Sequence, residues 1–127
     1  MKIAVPTDGD GGLSEPIGRH FGRVRNYTIV DSETNEVTIL PNTSHHMGGA
    51  GYPPEILSDA GVDIMLCSGL GRRAIQMFEE MGVRVYVGAA GTVKDATESW
   101  KSGELEEATD ANACAQHAFR GEKHGRG

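Results

Sequence analysis

The stretch Val62-Asp63-Ile64-Met65-Leu66-Cys67 is short and almost wholly apolar, and it runs directly into the turn Ser68-Gly69-Leu70-Gly71. An apolar run of this length, bounded by turn residues and followed by a helical pattern, is typical of a strand that helices bury on both faces. Such strands lie in the middle of parallel sheets, where ligands bind beyond the carboxyl ends of the strands. The stretch therefore predicts an α/β sheet with a binding site near the glycine turn.

A helix, a strand and a second helix are expected after this central strand. Residues 72–81 carry apolar side chains at helical spacing and are followed by Gly82, a residue suited to a helix C-terminus. Residues 83–87 predict a strand, and Thr92 is a suitable N-cap for a helix that runs to about Trp100 and ends at Gly103.

Three strands and a short helix are expected before the central strand. Ile3-Ala4-Val5 predicts the first strand, and the runs 27–30 and 37–40 predict a β-hairpin because turn residues lie between them. The stretch 54–60 predicts a short helix with a proline in its first turn. The irregular stretch 7–24 is long for a loop in a compact domain, and such loops are usually functional or disordered.

The order of these elements predicts a mixed sheet of five strands with helices on both faces. A hairpin makes its strands antiparallel, and each later strand-helix-strand unit makes its strands parallel. The loops after the first, third, fourth and fifth strands then emerge at one edge of the sheet, and so does the segment just before the second strand.

Length and charge limit the domain count and the partners. A chain of 127 residues suffices for one domain, which we place at residues 1–103, with a polar C-terminal tail over 104–127. The formal net charge of −6 argues against nucleic-acid binding, which requires a basic surface. No apolar run is long enough to cross a membrane, and residues 1–6 are too short for a signal peptide, so a cytoplasmic location is expected.

The turn at Gly69 and Gly71, with Arg72 opening the next helix, has the strand-turn-helix setting of an anion-binding loop. The alternative is that the glycines only allow the turn to close and the helix to pack. A nicotinamide dinucleotide site is disfavoured because the following strand does not end in an acidic residue.

Three histidines are candidate metal ligands at the same edge. His20, His45 and His46 are predicted to lie on neighbouring loops, and imidazole suits iron, zinc, copper and nickel. Arg19 and Arg23 flank His20 and could contact a metal group that is itself anionic. The alternative for any one of them is a surface histidine that only titrates near neutral pH.

The C-terminal tail contains a second candidate pair. Cys114 and His117 are one helical turn apart, a spacing at which both can bind one ion and form half a zinc site. A free thiol and an unrelated histidine are the alternative. Cys67 is expected to be an inert core residue because its neighbours are apolar. The sequence offers no catalytic residue.

Three motifs carry a resemblance to a known family: Ile3-Ala4-Val5-Pro6-Thr7, Gly18-Arg19-His20-Phe21-Gly22-Arg23, and Gly61-Val62-Asp63 with Ser68-Gly69-Leu70-Gly71. Together they resemble the dinitrogenase iron-molybdenum cofactor biosynthesis family. The resemblance implies a ribonuclease H-like fold without nuclease activity, with His20 as a family-level ligand. The His45-His46 loop and the Cys114/His117 tail resemble features of some small members.

The resemblance also implies a function. It indicates a non-enzymatic carrier or scaffold that binds an iron–sulfur or iron–molybdenum cluster and exchanges it with donor and acceptor proteins. Two alternatives remain at this stage: an enzyme that acts on an anionic small molecule at the Gly69–Arg72 turn, and a regulatory module that binds zinc through Cys114 and His117.

Overall fold

A computed structural model describes residues 1–19, 21–44 and 51–110 of the chain. The strands with both ends among these residues are β1 (Lys2–Thr7), β2 (Asn26–Asp31), β3 (Val37–Pro41), β4 (Ile64–Leu66), β5 (Arg84–Val87) and β6 (Glu106–Ala108). The helices are α1 (Pro53–Asp59), α2 (Arg72–Glu80) and α3 (Val93–Lys101).

The strands form one mixed sheet in the order β3-β2-β1-β4-β5-β6. β1 is antiparallel to β2 and parallel to β4, β2 and β3 form the predicted hairpin, and β4 is parallel to β5. The α/β class and the directions of the first five strands are therefore confirmed. The ribonuclease H-like assignment stays a prediction.

Strand alternation divides the apolar core into two layers. One face of the sheet, with Ala4, Tyr27 and Met65, packs against Leu57 of α1 and Phe78 of α2. The other face packs against α3; its buried residues include Ile3, Val5, Ile64, Leu66, Val93 and Ala96. Helices therefore cover both faces, as the sequence predicts.

The helix ends follow the local sequence. α3 begins after Thr92, whose hydroxyl accepts a hydrogen bond from the Asp95 backbone N–H while the Asp95 carboxylate accepts from the Thr92 N–H. These hydrogen bonds lower the pKa of Asp95. Gly82 follows α2 with a φ of +77°, which a side chain would disfavour. No helix in the described ranges is long and apolar enough to cross a membrane.

The sixth strand corrects the prediction of five. β6 pairs antiparallel with β5 and lies inside the stretch 104–127, for which the sequence predicted a tail. It is held by the buried Ala108 and by two hydrogen bonds from the Arg84 guanidinium to the Glu107 carboxylate, both 3.1 Å. A polar strand of three residues has no hydrophobic periodicity, so the sequence pattern gave no sign of it. Residues 111–127 lie outside the described residues.

The sixth strand predicts where the chain can be shortened. A chain ending at residue 103 is expected to be less stable than one ending at residue 110 by about 2 kcal/mol, because it loses the β5–β6 hydrogen bonds and the Arg84–Glu107 pair. Urea denaturation of the two truncated chains measures the difference. Equal unfolding free energies would show that β6 contributes nothing to the sheet.

Candidate functional site

Each of the six strands has one end at the edge of the sheet where β1 ends, which we call the carboxyl edge. Thr7 at the end of β1 pairs with Asn26 at the start of β2, and Asn26 pairs with Pro41 at the end of β3. Because β4 and β5 are parallel to β1, they also end there. The loop edge predicted from the element order is therefore confirmed for the strands.

The long stretch after β1 is tied to the rest of the fold by backbone hydrogen bonds. Gly18 N–H donates to the Pro6 carbonyl at 2.8 Å, Ile17 N–H donates to the Gly91 carbonyl at 2.9 Å, and Val93 N–H donates to the Glu15 carbonyl at 2.9 Å. These bonds lead the chain from the end of β1 past the start of α3. The described part of this stretch therefore has a defined backbone path, although its sequence shows no helical or strand periodicity.

The segment returns to β2 through a cluster of aromatic residues. The Tyr27 hydroxyl donates to the Phe21 carbonyl at 2.8 Å, and the Phe21 ring packs against Tyr27 and Phe78 with ring centroids 6.0 and 5.4 Å apart. Burial raises the pKa of Tyr27, so its hydroxyl stays a donor over the physiological pH range. The residue after His20 is therefore fixed to the core.

Asn42 joins this segment to the chain that follows β3. Its buried side-chain amide donates to the carbonyls of Gly22 (3.1 Å) and Val24 (2.8 Å), and its side-chain oxygen accepts from the Ser44 N–H (3.1 Å). The described chain neighbours of His20 and of His45 are thus held together. The two histidines themselves lie outside the described residues.

A groove of about 530 Å³ opens between these segments and α2. Its walls come from the chain just after His20, from the chain just after residues 45–50, and from the first half of α2. The lining residues are Phe21, Gly22, Tyr52, Pro53, Pro54, Arg73, Ala74 and Met77. A groove of this volume, mainly apolar with one arginine, has the size and character of a small-ligand site.

Exposed arginines provide positive charge in the same part of the chain. Arg73 lines the groove. Arg19 is two residues before the lining residue Phe21, and Arg23 directly follows the lining residue Gly22. None of the three forms an ion pair within the part of the chain that the structure describes. In a chain with a net charge of −6, arginines without carboxylate partners are available to an anionic ligand.

The glycine turn before α2 is placed as predicted, and Arg72 has a carboxylate partner. Gly71 is the N-cap of α2 and is exposed. The Arg72 guanidinium donates to the Asp110 carboxylate at 3.0 Å, and the Gln76 amide donates to the same oxygen at 2.9 Å. The hydrogen bonds from Gln76 and Arg72 lower the pKa of Asp110. Anion binding at Gly69, Gly71 and Arg72 stays a prediction.

Cys67 is a core residue, as its apolar neighbours indicate. Only 1% of the residue is exposed, and burial raises the pKa of its thiol to about 12, although a hydrogen bond from the Gly69 N–H acts in the opposite direction. A thiol in this state is a poor nucleophile and a poor metal ligand at neutral pH.

The predicted metal ligands all lie outside the described residues: His20, His45, His46, Cys114 and His117. Within residues 1–19, 21–44 and 51–110, no group of three or more histidine, cysteine, aspartate or glutamate side chains could hold a metal ion. The ligand assignments therefore stay predictions.

Sequence reasoning missed the groove residues themselves. Arg73 and Met77 are four residues apart and therefore lie on the same face of α2. The helical period could have shown that Arg73 and Met77 share this face, whereas the prediction singled out the adjacent Arg72. The sequence pattern leaves Tyr52 and Pro53 in an irregular stretch and predicts only that Pro54 begins a helix. Asn42 carried one usable signal, since a polar amide directly after a strand and a proline is a good candidate for bonding loop carbonyls.

The fold and the groove define a small α/β protein with an open, mainly apolar groove at the carboxyl edge of its sheet. Residues 1–103 match the family model described as dinitrogenase iron-molybdenum cofactor, and the chain belongs to this family. The resemblance drawn from its sequence motifs is confirmed.

Relatives of known sequence or structure agree with this assignment. An uncharacterized protein of Methanocaldococcus jannaschii is 28% identical over 111 residues, which cover 84% of this chain and 90% of that protein. The apo form of the orange protein from Desulfovibrio gigas is 25% identical, with a TM-score of 0.76 over 84% of this chain and 92% of that one. A NifB-like protein from Thermotoga is 31% identical, with a TM-score of 0.68 over 84% and 91%.

Gly18 begins the second of the three family motifs, and the structure predicts that replacing it with alanine destabilises the fold. A Cβ atom built at Gly18 would lie 2.5 Å from Val24 Cγ1, so Gly18→Ala should lower the free energy of unfolding by about 1–3 kcal/mol. Gly71→Ala is the matched control because no atom lies within 4 Å of its Cβ position, and it should cost less than about 1 kcal/mol. Chemical denaturation compares them, and equal costs would contradict the packing argument.

Asn42→Asp tests the junction of the two segments. The aspartate loses both amide donors and places a carboxylate against the carbonyls of Gly22 and Val24, so about 2–3 kcal/mol of stability should be lost at pH 7. The deficit should shrink as the pH falls, because a protonated carboxyl can again donate one hydrogen bond. Asn35→Asp, in the exposed hairpin turn, is the control. A deficit that does not change with pH would oppose this account.

Proposed function

We propose that the protein is a non-enzymatic carrier or scaffold that binds an iron–sulfur or iron–molybdenum cluster in the groove and exchanges it with donor and acceptor proteins. The observation that supports this most directly is the position of the groove. Its walls include the residues that follow His20 and the residues that follow the His45-His46 stretch. Membership of a family named for the iron-molybdenum cofactor supports a metal cluster as the class of cargo.

The proposed ligands are His20, His45 and His46, with Cys114 and His117 as further candidates. Imidazole and thiolate are ligand types that bind iron and its clusters. His20 is one residue from Phe21 and His45 is three residues from Asn42, and a trans peptide spans only about 3.8 Å per residue. The Asn42 bonds to Gly22 and Val24 therefore support a common site for the two histidine segments.

The groove chemistry suits an anionic cluster. Arg73 supplies a guanidinium at its wall, and Arg19 and Arg23 add charge on the neighbouring segment. Met77 and Phe21 supply polarizable, apolar surface that excludes water from part of the cargo. An open groove with few charged contacts permits release as well as capture, which a carrier requires.

Anaerobic reconstitution tests the proposal. The full chain is purified without oxygen, incubated with iron, sulfide and, in a second sample, molybdate, and then separated from free reagents. We expect bound metal by elemental analysis and visible absorption from the protein fraction. The variant carrying His20→Ala, His45→Ala and His46→Ala together should lose at least about nine-tenths of the bound metal, on the scale expected when several ligands are removed.

Charge at the groove is tested separately. Arg73→Glu should weaken cluster binding about tenfold, because it replaces an attractive contact with a repulsive one. Lys101→Glu is the matched control, since Lys101 is exposed on α3, across the sheet from α2. Metal-free wild-type protein after reconstitution, or equal loading of the histidine variant, would overturn the proposal.

A further inference from the structure

The outer edge of β3 has free hydrogen-bonding groups. Asp31 N–H donates to the Glu36 carbonyl, and Asn42 N–H donates to the Arg25 carbonyl, so the even-numbered residues from 36 to 42 bond to β2. Antiparallel ladders alternate, and the N–H and C=O groups of Val37 and Ile39 therefore point away from β2. Pro41 also faces outward but has no N–H.

Apart from Pro41 at its end, β3 lacks the features that usually prevent edge strands from pairing. Edge strands are commonly short or carry charged side chains. β6, at the other edge, has three residues of which two are glutamates. β3 has five residues and no charge, and Val37 and Ile39 are 37% and 38% exposed. Nothing within the described residues pairs with its outer edge.

We infer that β3 pairs antiparallel with β3 of a second copy of this chain, about a two-fold axis at Thr38. In this register Val37 lies opposite Ile39 of the second copy, and Ile39 lies opposite its Val37. The outward N–H and C=O of both residues then find partners on each strand. Pro41 lies outside these pairs, so its missing N–H costs no hydrogen bond. The six-stranded sheets join into one of twelve strands.

Charge favours a second copy as the occupant of this edge. Two-fold symmetry places Glu36 opposite Leu40 of the second copy. In that copy Asn42 follows two residues after Leu40, and its N–H donates to the Arg25 carbonyl. Because cross-strand partners share a face and residues alternate, Glu36 and Arg25 lie on the same face of the joined sheet. Both residues are exposed, and neither has an ion pair within the described ranges.

The pairing is reciprocal. An interface about a two-fold axis is self-complementary, so every contact occurs twice. Glu36 directly precedes β3, and Arg25 precedes β2 beside Asn42 at the other end of β3. An antiparallel arrangement therefore brings each charge to the same end as the opposite charge of the second copy, two strands across the joined sheet. A parallel pairing would place like charges together.

Sedimentation equilibrium of the full chain over a range of concentrations tests the inference. Wild-type protein is expected to form a dimer whose dissociation constant rises with salt. Arg25→Glu and Glu36→Arg should each raise that constant about tenfold, and the double variant should restore it, because the two charges exchange places across the axis. Glu98→Arg, on the exposed surface of α3, is the charge-matched control and should leave the dimer unchanged.

A backbone variant separates strand pairing from charge. Ile39→Pro removes an outward N–H without removing a bond to β2, and proline is tolerated on edge strands, so this variant should be a folded monomer by circular dichroism and sedimentation. If the Ile39→Pro variant does not fold, the Arg25→Glu and Glu36→Arg variants and their combination test the inference. Wild-type protein that stays monomeric at all concentrations, or a double variant that is no more dimeric than the single ones, would overturn the inference.

Discussion

The position of β1 between β2 and β4 is the constraint on which the rest of the structure depends. β1 is antiparallel to one neighbour and parallel to the other, and Ile3, Ala4 and Val5 are fully buried between the two helical layers. The hairpin on one side and the strand-helix-strand units on the other must therefore have their connections at a common edge. The groove exists there because both halves of the fold supply a wall to it.

Strand directions alone do not build the site. The segment after β1 has no regular secondary structure of its own, yet its backbone is held by bonds to β1 and to the start of α3. The Phe21 ring and the Asn42 amide then fix its return to β2. Buried backbone groups must be paired, and in this segment the partners are loops and side chains instead of a ladder. Asn42 supplies two of these hydrogen bonds, and Gly18 leaves space for the Val24 side chain.

The sequence was sufficient for the elements with strong patterns and insufficient for those defined by single side chains. The apolar run 62–67 predicted β4 to within two residues at each end, and the helical spacing around Phe78 and the Thr92 cap predicted α2 and α3 to within one. β6 could not be predicted because its stability comes from pairing with β5 and from Arg84, not from its own hydrophobicity.

The candidate site shows the same division. The carboxyl edge followed from element order, which is a global property of the chain. Element order could not predict that Arg73, and not Arg72, lines the groove. That difference depends on the rotation of α2 and on the Asp110 carboxylate that pairs with Arg72. One step of 100° around a helix separates a side chain in an ion pair from one that lines the groove. A pattern in the sequence fixes the buried face of a helix and leaves the roles on its exposed face undetermined.

The groove and the β3 edge make separate demands on the fold and do not compete. The groove lies at the carboxyl edge against α2, whereas β3 is the outermost strand, separated from β4 by β2 and β1. In an antiparallel pair of β3 strands, the carboxyl edges of the two copies point in opposite directions. Each groove would therefore keep its own opening, and association through β3 would double the number of sites without closing any of them.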